Sequence, residues 1–371
     1  MTDPRILCLV AAAGVLALSL SPAPLFADSY YQTNLVSDVP GLAPTTDPNL
    51  VNPWGVSFSA TSPFWVSDQG TNLSTVYNGL GAITPLVVPI PAGGPPSGPT
   101  GQVFNGTTSF TVGGVATNFI FDTLQGTIAA RTTGTTVTTV ATTPGAVYTG
   151  LAIGSVGADN YLYAANSLGN IQVFNGSFAN VTGTAFAGKF VDSSIPAGYV
   201  PFNVQLIGSD LYVTYAELAG PVAAPGSTGY VDEYDTSGNL LKRIASGGAL
   251  DAPWGITLAP SGFGSFSNDL LIGNFGNGTI NAYSTAGGGF LGTITDGNGV
   301  PIANDFLWDL SFRTDGASST SPDALYLTAG IDNQTAGLFA EIQLTPEPAP
   351  LVLVGLGLIA FALIRLRAQP A

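Results

Sequence analysis

The chain contains no histidine, and its single cysteine, Cys8, lies in an N-terminal segment that we expect to be removed. These absences exclude disulfides, metal sites built from Cys or His, Ser-His-Asp triads and Cys-His dyads. Carboxylate pairs and a Ca²⁺ site of oxygen ligands stay open, because both need only Asp, Glu, Asn and backbone carbonyls. No catalytic chemistry is therefore evident in the sequence, although not every enzyme is excluded.

Charge is scarce as well, since only 8% of the 371 residues are charged. Between residues 28 and 345, five basic side chains face 21 acidic ones, a net charge of −16. Nucleic acid, itself a polyanion, would be repelled by such a chain, so we expect no nucleic-acid partner. General solubility is the simplest explanation of the acidity.

Glycine and proline are abundant, at 48 and 27 residues, and Thr, Ser and Asn fill most gaps between the apolar positions. This composition favours short strands joined by frequent turns over helices. A length of 371 residues suits one large all-β domain as well as two smaller domains.

Residues 1–27 combine Arg5, an apolar stretch at 6–20 and the phrase "SPAPLFA" before Asp28. This order is typical of a secretory signal peptide that is cut after Ala27, so we expect an exported protein. An N-terminal membrane anchor is the alternative, but the apolar run is short for a span of about 20 residues.

The C-terminal segment, residues 346–371, contains an apolar span at 350–364, which we expect to form a transmembrane helix. Pro346, Glu347 and Pro348 precede this span, and Arg365 and Arg367 follow it. The three features in this order resemble the PEP-CTERM sorting signal of Gram-negative exported proteins. That resemblance implies an inner-membrane-anchored intermediate, cutting by an exosortase-type protease, and delivery to the outer surface or an exopolysaccharide matrix. A permanent tail anchor is the alternative.

Between these ends, a phrase recurs with a period near fifty residues: "NPWGVSFS" at 52–59 returns as "APWGITLA" at 252–259. Weaker copies of this phrase lie between these two segments and after the second one. Six units result, marked by Gly55, Gly101, Gly150, Asn203, Gly255 and Asp309. Each continues with two more apolar strands and has room for a fourth. The spacing predicts an all-β, six-bladed β-propeller over residues 28–345.

The strands "YYQTNLV" at 30–36 and "GLFAEIQL" at 337–344 lie at opposite ends of this region, and we expect them to share one blade and close the ring. The phrase "PWGV…FWVSD…STVY" resembles NHL-type propellers. A wider set of phrases resembles a family of PEP-CTERM proteins with six such blades: "NPWGVSFS", "PTGQVFNGT", "AGYVPFNVQLIG", "DAPWGITLAPSGFG", "LLIGNFGNGTINAY" and "GLFAEI". The resemblance implies fold and export but no established activity. In the second unit, "GTIAARTTGTTV" lacks the expected aromatic, so we expect its outer edge to pack poorly.

Four polar residues end the second strand of their units and share one place in the repeat: Asp68, Asp122, Asn166 and Asn274. Asp and Asn are common turn formers at such junctions, so turn capping is one interpretation. The other is convergence at a mouth of the central channel, where two carboxylates and two amides would bind Ca²⁺. Six-bladed lactonase-like hydrolases use an axial metal of this kind.

Three tryptophans, Trp54, Trp254 and Trp308, share the start of the innermost strand. They are predicted either to form an aromatic platform for sugar rings or to pack between blades. We therefore expect an exported module that binds or scaffolds carbohydrate or protein partners at the cell surface or in a biofilm matrix, and that needs no cofactor. A Ca²⁺-dependent hydrolase and a purely structural matrix protein are the alternatives.

Overall fold

The computed structural model of the protein describes residues 28–346, except 93–96, 220–221, 224–225, 227, 314–316 and 318–319. The predicted signal peptide and the tail from Glu347 onward lie outside these residues. The described chain is almost entirely β-structure, arranged as six sheets around a common axis, with all strand pairs antiparallel except the short pair of Tyr30–Ser37 with Thr45–Thr46.

Strands β1 (Tyr30–Ser37) and β2 (Thr45–Thr46) come first. Blade 1 contains β3 (Pro53–Ser57), β4 (Phe64–Asp68), β5 (Leu73–Tyr77) and β6 (Val88–Pro89). Blade 2 begins with β7 (Pro99–Phe104), followed by a small hairpin of β8 (Thr111–Val112) and β9 (Val115–Ala116), and continues with β10 (Phe119–Thr123), β11 (Thr127–Arg131) and β12 (Val137–Thr142). Blade 3 contains β13 (Tyr148–Val156), β14 (Asp159–Asn166) and β15 (Ile171–Asn175).

Blade 4 contains β16 (Tyr199–Ile207), β17 (Asp210–Ala219), β18 (Val222–Ala223), β19 (Gly229–Asp235) and β20 (Leu240–Ser246), with β18 paired to β17. Blade 5 contains β21 (Pro253–Leu258), β22 (Leu270–Asn274), β23 (Ile280–Tyr283) and β24 (Phe290–Thr293), with a 3₁₀ turn at Gly264–Phe266. Blade 6 contains β25 (Leu307–Phe312), β26 (Leu325–Ala329) and β27 (Leu338–Leu344), with a short helical turn at Ile331–Gln334.

The two chain ends close the ring in blade 6. Strand β1 pairs antiparallel with β27, with Tyr30 opposite Leu344 and Ser37 opposite Leu338. The Tyr30 hydroxyl also donates a hydrogen bond of 2.9 Å to the Phe263 carbonyl, which ties the closing strand to blade 5. The predicted six-bladed propeller and its closure by the terminal strands are confirmed.

Side chains alternate between the two faces of each strand, and this alternation explains how each blade packs against its neighbours. In β4, Phe64 packs with Tyr326 and Phe339 of blade 6, whereas the neighbouring residue Trp65 packs with Phe119 of blade 2. Successive side chains of a strand point to opposite faces, so both faces of a blade are buried against its neighbours. Burial of apolar surface between blades, at roughly 25 cal/mol per Å², is therefore the main source of stability.

The innermost strands approach one another closely around the axis, and glycine makes this approach feasible. A Cβ on Gly55 would lie 2.7 Å from the Thr100 carbonyl oxygen, and Cβ atoms on Gly101 and Gly150 would be closer still to the next inner strand. Each distance is shorter than ordinary van der Waals contact. The repeated glycine of the sequence phrase is therefore a packing requirement of the ring.

Blade 3 differs from the prediction, because residues 148–198 form three strands where a fourth was expected. After β15 the chain turns, and a single bridge joins Phe174 to Asn180. The rings of Phe186 and Phe190 then pack against Tyr163 of β14. These rings fill space between blades 3 and 4, whereas the outer edge of β15 is met only in part, where the Val181 backbone N–H donates to the Val173 carbonyl at 2.8 Å.

The outermost strand of blade 2, β12, has no buried residue, in line with the expected loosely packed edge, but the place of the missing aromatic is filled one strand further in. Arg131 occupies the place that Tyr77, Tyr234 and Tyr283 take in blades 1, 4 and 5. Its guanidinium carbon lies 4.5 Å from the centre of the Trp65 ring, and only 7% of the residue is exposed. A cation over an aromatic face substitutes for the missing ring.

Candidate functional site

One end of the central channel is filled by aromatic side chains. Trp54, Trp254 and Trp308 are at most 2% exposed and form one buried cluster with Phe202 and Phe275. Trp54 stacks on Trp308 with ring centres 3.5 Å apart, and Trp254 meets both rings edge-on.

Hydrogen bonds fix two of these indoles. The ring N–H of Trp254 donates to the Thr149 carbonyl at 2.8 Å, and that of Trp308 donates to Oδ1 of Asn52 at 3.0 Å. The rings therefore lie where packing would place them, with no face open to a ligand in this arrangement. We name this cluster the tryptophan plug.

Asn166 and Asn274 both hydrogen-bond within their own blades. Asn274 Oδ1 accepts from the backbone N–H of Asp251 at 3.0 Å, and its amide donates to the Ala249 carbonyl at 2.8 Å. Asn166 Oδ1 accepts from the backbone N–H groups of Val147 and Leu168 at 3.0 and 3.2 Å. Each side chain thus fixes the loop that enters its blade.

Asp68 occupies the same register position in blade 1, but its carboxyl group is fully buried and neither oxygen accepts a hydrogen bond of good geometry. Burial raises the pKa of Asp68 well above its usual value; Thr75 beside it partly offsets this, and Asp47 adds to it. Asn166 and Asn274 have an amide that can donate, whereas an ionised carboxylate can only accept.

Asp122 lies one residue earlier in its strand than the other three, which corrects the prediction of a shared position. Pro53 pairs with Asp68 and Tyr148 with Asn166, but Pro99 pairs with Thr123. Asp122 Oδ1 instead lies 2.6 Å from both the Thr100 hydroxyl and the Gly101 backbone nitrogen. The same register shift recurs between the two inner strands of every blade, so the offset arises because Thr123 follows Asp122 and takes the shared position in blade 2.

Asp309 and Asn203 occupy the repeat position that glycine takes in the other four blades. Asp309 accepts a hydrogen bond from the backbone N–H of Val56, and Asn203 donates to the Trp254 carbonyl at 2.9 Å. Burial raises the pKa of both Asp309 and Asp122 to about 7, although backbone hydrogen bonds lower it in part. Both carboxyls serve the packing of the inner strands.

The other end of the channel opens into a cavity of about 300 Å³, which we name the funnel. Inner strands of all six blades line it. The residue two positions after the repeat glycine contributes from every blade: Ser57, Val103, Ala152, Gln205, Thr257 and Ser311. Phe58, Phe104 and Phe312 are half-buried at the ends of three of these strands.

The funnel wall holds two buried polar atoms without a partner, Ser57 Oγ and Gln102 Oε1. The residues are 9% and 5% exposed. The Gln102 amide donates to the carbonyls of Gly55 and Trp65, both at 2.7 Å. The side chain is therefore fixed in place, while its own carbonyl oxygen accepts no hydrogen bond. A buried acceptor that lacks a hydrogen-bond donor costs about 1 to 3 kcal/mol, so this part of the wall is held at some cost in stability.

The described residues that line the funnel include no Asp, Glu, Lys or Arg. Nor do any three His, Cys, Asp or Glu side chains, within the described ranges, lie close enough together to hold a metal ion. The chemistry of the funnel is therefore that of neutral hydroxyls, amides and aromatic rings.

Sequence reasoning missed the funnel residues. A small or polar residue stands two positions after the repeat glycine in five of the six units, and that regularity was available in the sequence. No pattern, however, could have indicated that Ser57 and Gln102 keep atoms without partners, because this depends on how adjacent blades meet.

Most of the predicted sorting signal lies outside the described residues. Pro346 is the last residue described, so Glu347, Pro348, Arg365 and Arg367 have no structural account. Among the described residues, no helix has the length and apolar character needed to cross a membrane.

Comparison with known sequences assigns no family, since no protein-family model matches the chain. Two uncharacterised proteins of Acanthamoeba polyphaga mimivirus are each 29% identical to it. One alignment covers 83% of this chain and 78% of the viral protein, and the other covers 83% and 84%. Neither relative has a named activity.

Comparison with solved structures agrees with the propeller fold. An auxiliary nutrient binding protein from Bacteroides ovatus is similar over 86% of this chain and 78% of its own, with a TM-score of 0.54 and 10% identity. A glucose dehydrogenase is similar over 84% and 99%, with a TM-score of 0.51 and 11% identity. At these identities the similarity shows the fold alone.

Proposed function

We propose that the protein is a binding or scaffolding module that holds a neutral carbohydrate partner in the funnel. The observation that carries this proposal is the lining of the funnel, in which neutral hydroxyl, amide and aromatic side chains of all six blades meet without an ionisable group among the described residues.

The other residues that line the funnel also suit a sugar ligand. Phe58, Phe104 and Phe312 offer apolar surface to the C–H face of a ring, while Gln205 and Thr257 offer groups to its hydroxyls. A net charge of −16 over residues 28–345 disfavours anionic ligands. That one structural neighbour is named a nutrient binding protein is consistent with a binding role.

The test is to screen neutral and uronic-acid-containing oligosaccharides by calorimetry, with Thr257→Trp as the blocking variant. Thr257 is half-buried and lines the funnel, so an indole there would fill the cavity. We expect at least a tenfold loss of affinity for neutral sugars. The control, Ala286→Trp, places the same indole on an exposed turn of blade 5 and should bind like the parent.

Two results would contradict the proposal: neutral sugars that bind the Thr257→Trp protein as tightly as the parent, or a preference for uronic-acid oligosaccharides. Thermal melting of each variant identifies any that is simply unfolded.

The Ca²⁺-dependent hydrolase stays a prediction. Asp122, Asn166 and Asn274 each bind backbone groups of their own blades, so a shared ion would have to replace those hydrogen bonds. A rise of several degrees in Tm on adding Ca²⁺, abolished by Asp122→Ala and Asn274→Ala, would favour the hydrolase over the binding module.

We further propose that the protein is exported, with an NHL-like propeller delivered to the outer surface or an exopolysaccharide matrix. The supporting features are the apolar segments near both ends and the order of Pro346, Glu347, Pro348, Arg365 and Arg367 around the second one. The intact mass of protein recovered from its native host tests this, because exosortase-type processing would remove the tail beyond the Pro-Glu-Pro region. A mass that retains Arg365 would indicate a permanent anchor.

A further inference from the structure

Two further concavities adjoin the funnel on the surface of blades 2 to 4 and share lining residues with it or with each other. The first, about 420 Å³, shares Phe104, Ile153 and Leu206 with the funnel as a common wall. The second, about 400 Å³, shares Asn160 with the first. The three cavities form one series from the axis to the outer part of blade 3, which we name the groove.

Asn160 lies at the junction of the two outer concavities and is held in place. Its Oδ1 accepts from the Ser155 hydroxyl at 2.7 Å, and its amide donates to the Ser109 hydroxyl at 3.1 Å. Because Ser109 belongs to the β8 side of blade 2 and Ser155 to blade 3, this contact joins the walls of two blades. The groove therefore has a fixed floor at this point.

The middle concavity exposes small neutral groups. Gly106, Gly208 and Ser209 are exposed, and Thr236 is half-exposed. No hydrogen bond of the described residues engages the hydroxyls of Ser209 and Thr236, so both are available to a ligand at the surface. Small residues at these turns leave the backbone accessible as well.

Aromatic surface recurs along the groove. Phe104 stands between the funnel and the middle concavity, and Tyr161 lines the outer one; both are half-buried. Tyr161 is braced edge-on by Phe186, with ring centres 5.0 Å apart. Polar edges that alternate with aromatic faces suit a chain of sugar residues, each of which has hydroxyl edges and an apolar face.

The charge of the residues that line the groove indicates which class of polymer it can bind. Among the described residues lining the three cavities, Asp159 is the only acidic one and none is basic. A polyanion would meet this carboxylate with no cation to compensate. A neutral polymer meets no such penalty.

We propose that the funnel and the two concavities form one groove that binds a neutral polysaccharide chain, with one chain end in the funnel. This inference rests on the proposed function, since the funnel is the first of its subsites. The further claim is that the partner is a polymer. The polymer occupies three consecutive cavities and contacts blades 2, 3 and 4 away from the propeller axis.

The test is a chain-length series, from one to six residues, of cello-, malto- and β-1,4-manno-oligosaccharides measured by calorimetry. We expect affinity in at least one series to rise about tenfold or more between the monosaccharide and the tetrasaccharide. Ser209→Trp, which fills the middle concavity, should erase this rise and leave monosaccharide affinity unchanged. Ala286→Trp is the matched control and should keep the full length dependence.

The outcomes separate the two proposals. If Thr257→Trp weakens monosaccharide binding but affinity is flat with chain length, or Ser209→Trp keeps the rise, the groove is wrong and the funnel site stands. If Ser209→Trp binds all lengths as the parent does while Thr257→Trp loses none of them, both proposals fail. Retention of the parent's Tm in each variant shows that folding is not the cause.

Discussion

The free energy of unfolding is expected to fall as the pH rises from about 5 to about 8.5, by up to about 3 kcal/mol for each of Asp122 and Asp309. Burial raises the pKa of each carboxyl to about 7, from 3.8 in the unfolded chain. Between these two values the folded state binds more protons than the unfolded state, so stability decreases with rising pH and levels off above the folded pKa. Urea unfolding at several pH values measures this decrease.

The double variant Asp122→Asn, Asp309→Asn should make the decrease with pH shallower, because an amide does not titrate. The decrease that remains belongs to other buried carboxyls such as Asp68 and Asp232, whose pKa values burial also raises. Asp159→Asn changes an exposed carboxyl to the same amide and should leave the decrease in place. A parent protein whose stability is constant or rises over this pH range would contradict the buried, neutral state of these carboxyls. So would a double variant that keeps the parent's slope.

The second large effect on stability is expected when a tryptophan of the plug is truncated to alanine. Trp308→Ala is expected to lower the free energy of unfolding by about 3 to 5 kcal/mol. The side chain is 0% exposed, and its ring centre lies 3.5 Å from that of Trp54 and 4.5 Å from that of Phe275. Its loss would open a cavity on the axis, where six inner strands meet and cannot all move inward.

A matched pair of conservative changes separates packing from hydrogen bonding. Trp308→Phe also leaves Oδ1 of Asn52 without the indole donor, whereas the Trp54 indole N–H has no partner to lose. Trp308→Phe should therefore cost more than Trp54→Phe. Phe290→Ala, at a site 53% exposed, should cost less than about 0.5 kcal/mol. An effect below 1 kcal/mol for Trp308→Ala would instead indicate exposed rings.

The repeat could be predicted from the sequence because the close approach of inner strands requires glycine at one position, and four of the six units keep it. Closure by the end strands followed from the same count, since six units left one strand over at each end. Both features follow from the spacing of the repeated phrase, which can be read directly from the sequence.

What could not be predicted depends on shifts of one residue and on contacts between blades. Asp122 lies one residue before the position shared by Asp68, Asn166 and Asn274, because Thr123 takes that position in blade 2, and the phrase pattern does not show this offset. Likewise, the packing of Arg131 over Trp65 joins residues 66 positions apart in neighbouring blades. The funnel became visible only when the ends of six inner strands were placed together.

Hydrogen–deuterium exchange with and without a neutral oligosaccharide tests the central claim most directly, because it locates the ligand on the unmodified protein. Slower exchange is expected at the ends of the inner strands that line the funnel, at residues 56–58, 102–104, 205–206 and 310–312. Protection confined to the outer strands, or to the face that carries the tryptophan plug, would show that the funnel is not the binding site.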